Sequence, residues 1–248
     1  MSVVDPNIPA LPKELGERWQ GTTVPLASRS AYKDVWNRQA QDADIATLAV
    51  AGYIDEPSLD ASARDTLRIL SDTVGYGPND IVLEIGCGIG RVGKALSPHC
   101  LHWIGTDISG HMLEHARRRL VACPNVSLIE LGEVGLREIP DDTIDLVYCT
   151  VVLMHLYEWD RYRYVQEAFR VLRPGGRCYF DNMDITSAPG WQMFEDSLRF
   201  PAEKRPAQLS SVSTGEELEA YATRAGFSDI RIHRLPQGWV ALAGTKPR

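Results

Sequence analysis

Apolar positions along the chain alternate between helical and strand spacing, and the changes divide it into elements. Tyr32, Val35 and Trp36, then Ile45, Leu48 and Ala49, recur at helical spacing and predict helical structure over 30–50. A helix is predicted over 62–74, with Leu67, Ile69, Leu70 and Val74 on its apolar side; Gly75-Tyr76-Gly77-Pro78 stops it. Residues 81–85 then run apolar except for Glu84, as a strand buried on both faces does. Further short apolar runs end at Asp107, Leu131, Thr150 and Asn182, with helix-compatible stretches between them. This alternation predicts parallel strands joined by right-handed crossovers. Thr214-x-x-Glu217 is a capping box that opens a helix ended by Gly226. Two last strands, around Ile230–Ile232 and Trp239–Ala243, are joined by the short Leu235-Pro236-Gln237-Gly238. Residues 1–20 and 183–213 show no period. The first is expected to be an extended arm anchored by Trp19. The second is long enough without structure to be expected over a functional site.

The first strand runs straight into Gly86-Cys87-Gly88-Ile89-Gly90 and then a helix-compatible run from Arg91. A strand that turns through glycine into a helix presents bare backbone N–H groups to a ligand. The spacing excludes two familiar cradles. Gly90 comes one place too early for Gly-x-Gly-x-x-Gly, and no Lys-Ser/Thr follows for a P-loop. Trp103-Ile104-Gly105-Thr106-Asp107 ends a second buried run in a carboxylate, 21 residues after Gly86. A carboxylate so placed can accept hydrogen bonds from both hydroxyls of a ribose.

Glu84-Ile85-Gly86-Cys87-Gly88-Ile89-Gly90, Asp107, the 140–150 stretch and Leu172-Arg173-Pro174-Gly175-Gly176 together resemble the class I S-adenosylmethionine (SAM)-dependent methyltransferases of the small-molecule type. The resemblance runs from about 80 to 176 and extends to the C-terminal strand pair. It implies an α/β fold: a seven-stranded, mostly parallel, doubly wound sheet of order 3-2-1-4-5-7-6, strand 7 antiparallel, with an N-terminal helical extension. It implies SAM as cofactor and S-adenosyl-L-homocysteine as product. It further implies that Glu84, Gly86, Cys87, Gly88 and Gly90 form the cofactor loop. Asp107 would hold the ribose, and Ile108 and Met112 would flank the adenine. Glu133 and Val134 match the adenine-edge position by order only, and a solvated loop is the other reading of Glu133. Thr150 would face the methionine part. Two domains are expected: an arm and helical lid over 1–60, and a SAM-binding domain over 61–248 with a cover segment over 183–213. Tyr32 and Trp36 are either core-packing residues of an amphipathic helix or lid residues that touch substrate. Trp191 and Phe194, with Met193 and Phe200, either line a substrate pocket or pin the excursion to the core.

The remaining features narrow the chemistry. Net charge is −7 over 248 residues, with no basic stripe of the kind nucleic acid requires. No apolar run approaches 20 residues and no basic head precedes an apolar core at the start, so neither a membrane span nor a signal peptide is expected. The five cysteines are scattered, without a Cys-x-x-Cys pair, and read as reduced thiols of a cytoplasmic protein. Cys87 reads as a small residue in the loop, not a nucleophile. His155, in Val152-Leu153-Met154-His155-Leu156 after the fourth strand, is the candidate general base for a protonated acceptor; a positioning or packing role is the alternative. His111 and His115 stand four apart, a metal spacing without a nearby third ligand, and read as surface residues. Asp181-Asn182 resembles part of the metal site of catechol-type methyltransferases. Cys149-Thr150 stands where those enzymes need an Asp, so no metal is expected. The expected reaction is metal-independent methyl transfer to an oxygen, or a nitrogen, of a small molecule, by a monomer or homodimer. The rival readings are a nicotinamide-dependent oxidoreductase and a SAM-binding protein without transfer.

Overall fold

The computed structural model describes residues 31–248, so the expected arm and Trp19 lie outside the described residues. The helical stretch expected over 30–50 is two helices, α1 (Tyr32–Gln39) and α2 (Ala43–Ala51). The break is a capping event. The Asp42 carboxylate accepts the N–H groups of Asp44 and Ile45 at 3.0 and 3.1 Å and opens a new helix, which left-handed Gly52 closes. The next helix, α3 (Glu56–Thr73), starts earlier than its apolar side suggests. Asp55 caps it at Ser58 N, 2.8 Å, and Pro57 occupies the first turn, where no N–H is needed.

Seven strands follow: β1 (Ile81–Ile85), β2 (His102–Asp107), β3 (Val126–Glu130), β4 (Ile144–Cys149), β5 (Leu172–Met183), β6 (Ser228–Arg234) and β7 (Trp239–Thr245). They form one sheet of order β3-β2-β1-β4-β5-β7-β6. β1 to β5 run parallel to one another, and β7 runs antiparallel to both β5 and β6. The crossover helices are α4 (Arg91–Leu96), α5 (Gly110–Arg119) and α6 (Glu158–Val171), and α8 (Gly215–Ala225) precedes β6. The period of two sorts each strand between two cores. Leu83, Ile85, Val147 and Phe180 pack with Tyr164 and Val165 of α6 and Leu218 of α8. Val82, Leu146, Tyr148 and Tyr179 pack on the other face with Leu70, Leu96 and Leu113. A fully buried Leu or Ile stabilises by roughly 1.5–3 kcal/mol, so these two layers fix where each strand ends.

The segment without a period contains a helix after all, α7 (Ala188–Leu198). Ser187 caps it at Gly190 N, 3.0 Å, and a Cβ on Gly190 would lie 1.9 Å from the Asp184 carbonyl oxygen. The helix hides from a pattern search because two of its large apolar residues, Trp191 and Leu198, are exposed. β1 and β4 mark the position where the chain reverses its direction of travel across the sheet. Ligands of open α/β sheets bind outside the carboxyl ends of the strands at that point.

Candidate active site

Beyond the carboxyl end of β1 the chain turns through Gly86 and Gly88, with φ of +69° and +53°. Both conformations favour glycine. Close approach excludes a side chain as well: a Cβ on Gly86 would lie 2.4 Å from Val152 Cγ2, and one on Gly88 2.5 Å from Val50 Cγ1. The loop is therefore pressed between the strip after β4 and the second N-terminal helix. Cys87 is buried in this loop, and burial first of all pushes its thiol well above the ordinary range, which makes it inert.

Asp107 ends β2 and ties the loop to it. One carboxylate oxygen accepts the Gly88 N–H at 2.8 Å, the other the Ser109 N–H at 2.8 Å. Burial raises its pKa to about 6 against the pull of those hydrogen bonds. Ser109 caps α5 by accepting from Met112 N at 3.1 Å, while its hydroxyl donates to Asn37 Oδ1 at 2.8 Å. His111 Nδ1 lies 3.1 Å from the Asn37 carbonyl oxygen and His115 Nε2 2.9 Å from that of Ala40. Both ring nitrogens therefore carry hydrogens and donate to backbone. These histidines, expected as plain surface residues, fasten α1 to α5.

Glu84 is 3% exposed and lies beneath the loop, not in it. The Tyr148 hydroxyl donates to it at 2.5 Å and is itself held by Trp103 Nε1 at 3.0 Å. Burial pushes the Glu84 carboxyl up to about 8.

Between the loop and the strip after β4 is a cavity. It brings together Gly86, Gly88, Asp107, Ile108, Met112 and Val134, and Thr150 and His155 beside them. Tyr32 and Trp36 of α1 and Val50 of α2 roof it. The Tyr32 hydroxyl donates to Asp160 at 2.6 Å and accepts from Tyr157 N at 3.1 Å, which fixes the roof to the start of α6. His155 sits on a short 3-10 turn, Leu153–His155. Its Nδ1 lies 3.0 Å from the Gln208 carbonyl oxygen, so Nδ1 carries a hydrogen and donates it. Its ring meets Trp36 edge-on, centroids 4.8 Å apart.

Several sequence candidates are not part of that lining. Glu84, Cys87 and Gly90 stand behind it. Glu133 is exposed and pairs with Arg137 at 2.5 Å. Trp191 and Phe194 face each other on α7, centroids 5.3 Å apart, away from the cavity. Sequence reasoning assigned no role to Val50, Val151, Val152 or Tyr164, which do line it. The apolar strip 150–153 was the available signal. A second, more open cavity meets the first at Ala49, Val50, Thr150 and Val151 and continues past Asp181, Trp239 and Arg91. Arg91 donates to the hydroxyls of Ser62 and Thr66 at 3.2 and 3.4 Å.

A family model described as a methyltransferase domain matches residues 83–180. A demethylmenaquinone methyltransferase of Symbiobacterium thermophilum is 35% identical over 70% of this chain and 78% of its own. An uncharacterized 37.1 kDa protein in transposon TN4556 of Streptomyces fradiae is 32% identical over 71% of this chain; the chain spans only 51% of that relative. Among solved structures, phosphoethanolamine N-methyltransferase 1 of Haemonchus contortus, in complex with phosphoethanolamine and S-adenosylhomocysteine, superposes with a TM-score of 0.66. It is 20% identical, over 92% of this chain and 51% of that one, and so bears on the fold alone.

Proposed function

The chain belongs to the class I SAM-dependent methyltransferases, and on that premise we propose that it transfers the SAM methyl group to an oxygen, or a nitrogen, of a small molecule. The observation that carries this reading is Asp107, pinned beside Gly88 at the mouth of an apolar cavity. Each carboxylate oxygen has two lone pairs and gives one to a backbone N–H. The other pair on each oxygen accepts a ribose hydroxyl. Ile108, Met112 and Val134 offer apolar faces to the adenine, and the glycine loop and Thr150 flank the methionine part. SAM supplies the activated methyl on its sulfonium, and the chain's task is to align the acceptor and take its proton.

His155 is the base in this proposal. With Nδ1 bonded to Gln208, its Nε2 lone pair is the acceptor for an O–H or N–H proton. Helices α1 and α2 act as the lid. The segment after β5 acts as the cover: Gln208 meets His155, and Ser211 N donates to the Met154 carbonyl at 2.7 Å. No metal is assigned to the site. Asp181 accepts from Val151 N, Asn182 donates to Ser213, and Cys149-Thr150 offers no carboxylate. The 35% identity to a demethylmenaquinone methyltransferase supports a quinone-type acceptor as a second reading.

The test is transfer from methyl-labelled SAM to a panel of phenols, quinols and amines. The expected result is a labelled product, with kcat lowered about 100-fold or more in His155→Gln while S-adenosylhomocysteine affinity holds. Undiminished turnover in that variant would remove His155 as the base.

A further inference from the structure

The backbone directly after β4 is held in a conformation that its residue disfavours. Val151 has φ +61°, and of the non-glycine residues with positive φ among those described it alone is β-branched. A branched Cβ there crowds its own main chain, so such a conformation persists only where something holds it. The Val151 N–H donates to Asp181 Oδ1 at 2.9 Å. Asp181 is buried on β5, and its other oxygen accepts from the Tyr179 hydroxyl at 3.2 Å. Val151 borders both cavities, and the next residue, Val152, is packed against the Gly86 backbone so closely that no Cβ would fit there. A change of φ at 151 swings Val152 relative to the glycine loop.

We infer that Asp181 is a positioning residue of the methyltransferase site: its carboxylate latches Val151 in the left-handed conformation and so fixes the partition between the cofactor cavity and the second cavity. This rests on the reading of the first cavity as the SAM site. The latch acts through a hydrogen bond, not through charge. Asn retains an Oδ1 acceptor, Ala does not, and glycine at 151 adopts the conformation with no latch at all.

The experiment is calorimetric titration with S-adenosylhomocysteine of the wild type, Asp181→Asn, Asp181→Ala and the double variant Asp181→Ala/Val151→Gly. Asp181→Asn is expected to bind within about threefold of the wild type, and Asp181→Ala to bind about tenfold more weakly. The double variant is expected to bind at least about threefold more tightly than Asp181→Ala, since the strain that needed a latch is gone. A purely structural role for Asp181 would not be rescued at 151. The inference is overturned by undiminished binding in Asp181→Ala, or by a double variant no better than the single. If Asp181→Ala fails to fold, Val151→Gly against Val151→Pro decides. Glycine is expected to bind more tightly than proline, which is locked at negative φ without an N–H; equal affinities overturn the latch. A wild type that binds no S-adenosylhomocysteine overturns the cofactor reading and this inference with it.

Discussion

Glu84 shows how far a single residue could be read. It stands inside the glycine motif, which placed it among the cofactor residues. The period of two turns it to the face of Val82, under Tyr148 and Trp103 and away from the cavity. What the residues alone could not show is the effect of that burial. Glu84 is raised to about 8 and Asp181 to about 7, both chiefly by desolvation. A carboxyl with a raised folded pKa binds its proton more tightly folded than unfolded. Folding is therefore favoured below that pKa, and stability drains as pH rises from the unfolded value through the folded one. Glu56 and Glu167, lowered by hydrogen bonds from Arg119 and Arg170, are already ionised above pH 6 and are silent there. His233, lowered by burial, acts in the opposite sense but below its ordinary value. The melting temperature is thus expected to fall by several degrees between about pH 6 and 8 and to level off above, and Glu84→Gln is expected to flatten that fall. Parallel melting profiles for the two proteins would contradict the assignment.

At the scale of elements, Arg161 joins pieces that no local pattern connects. It is 1% exposed on α6. Its Nε donates to the carbonyls of Leu153 and Leu156 at 2.9 and 3.2 Å, on and just after the turn that carries His155. One of its terminal nitrogens reaches Ser213 Oγ at 2.8 Å and Glu217 at 3.0 Å, at the start of α8. The capping box at Thr214 was legible, and Thr214 does accept from Glu217 N at 3.1 Å. The Glu217 carboxylate accepts from Arg161 and Tyr221, partners 56 residues before it and 4 after. Arg161→Ala removes the donor to the Leu156 carbonyl and the Ser213 hydroxyl and takes the cation from the partly exposed Glu217 carboxylate, and is expected to cost about 2–4 kcal/mol in urea unfolding. Arg161→Lys, without the planar fork, is expected to recover only part of that loss. A loss under about 1 kcal/mol in Arg161→Ala would show that the turn is held elsewhere.

Over the whole molecule, the legible parts are those that the sheet dictates. Strands buried on both faces read as apolar runs, and their alternation with helices gave the parallel core and the switch point between β1 and β4. The roof and the cover were hard to read for a physical reason. α1 and α2 are separated by only three residues, the last of them the cap Asp42, and α7 turns Trp191 and Leu198 to solvent. α1 and α2 also border the site, with Val50 against Gly88 and Trp36 against His155. If α1 and α2 form the lid, S-adenosylhomocysteine is expected to slow amide exchange across 32–51 more than across the strands of the core, whose amides are already protected. Unchanged exchange in the roof would place the ligand elsewhere. The most direct test of the account is titration of the protein with S-adenosylhomocysteine, repeated with Asp107→Ala. The account predicts micromolar binding that the substitution abolishes; no binding by the wild type, or equal binding by the variant, would contradict it.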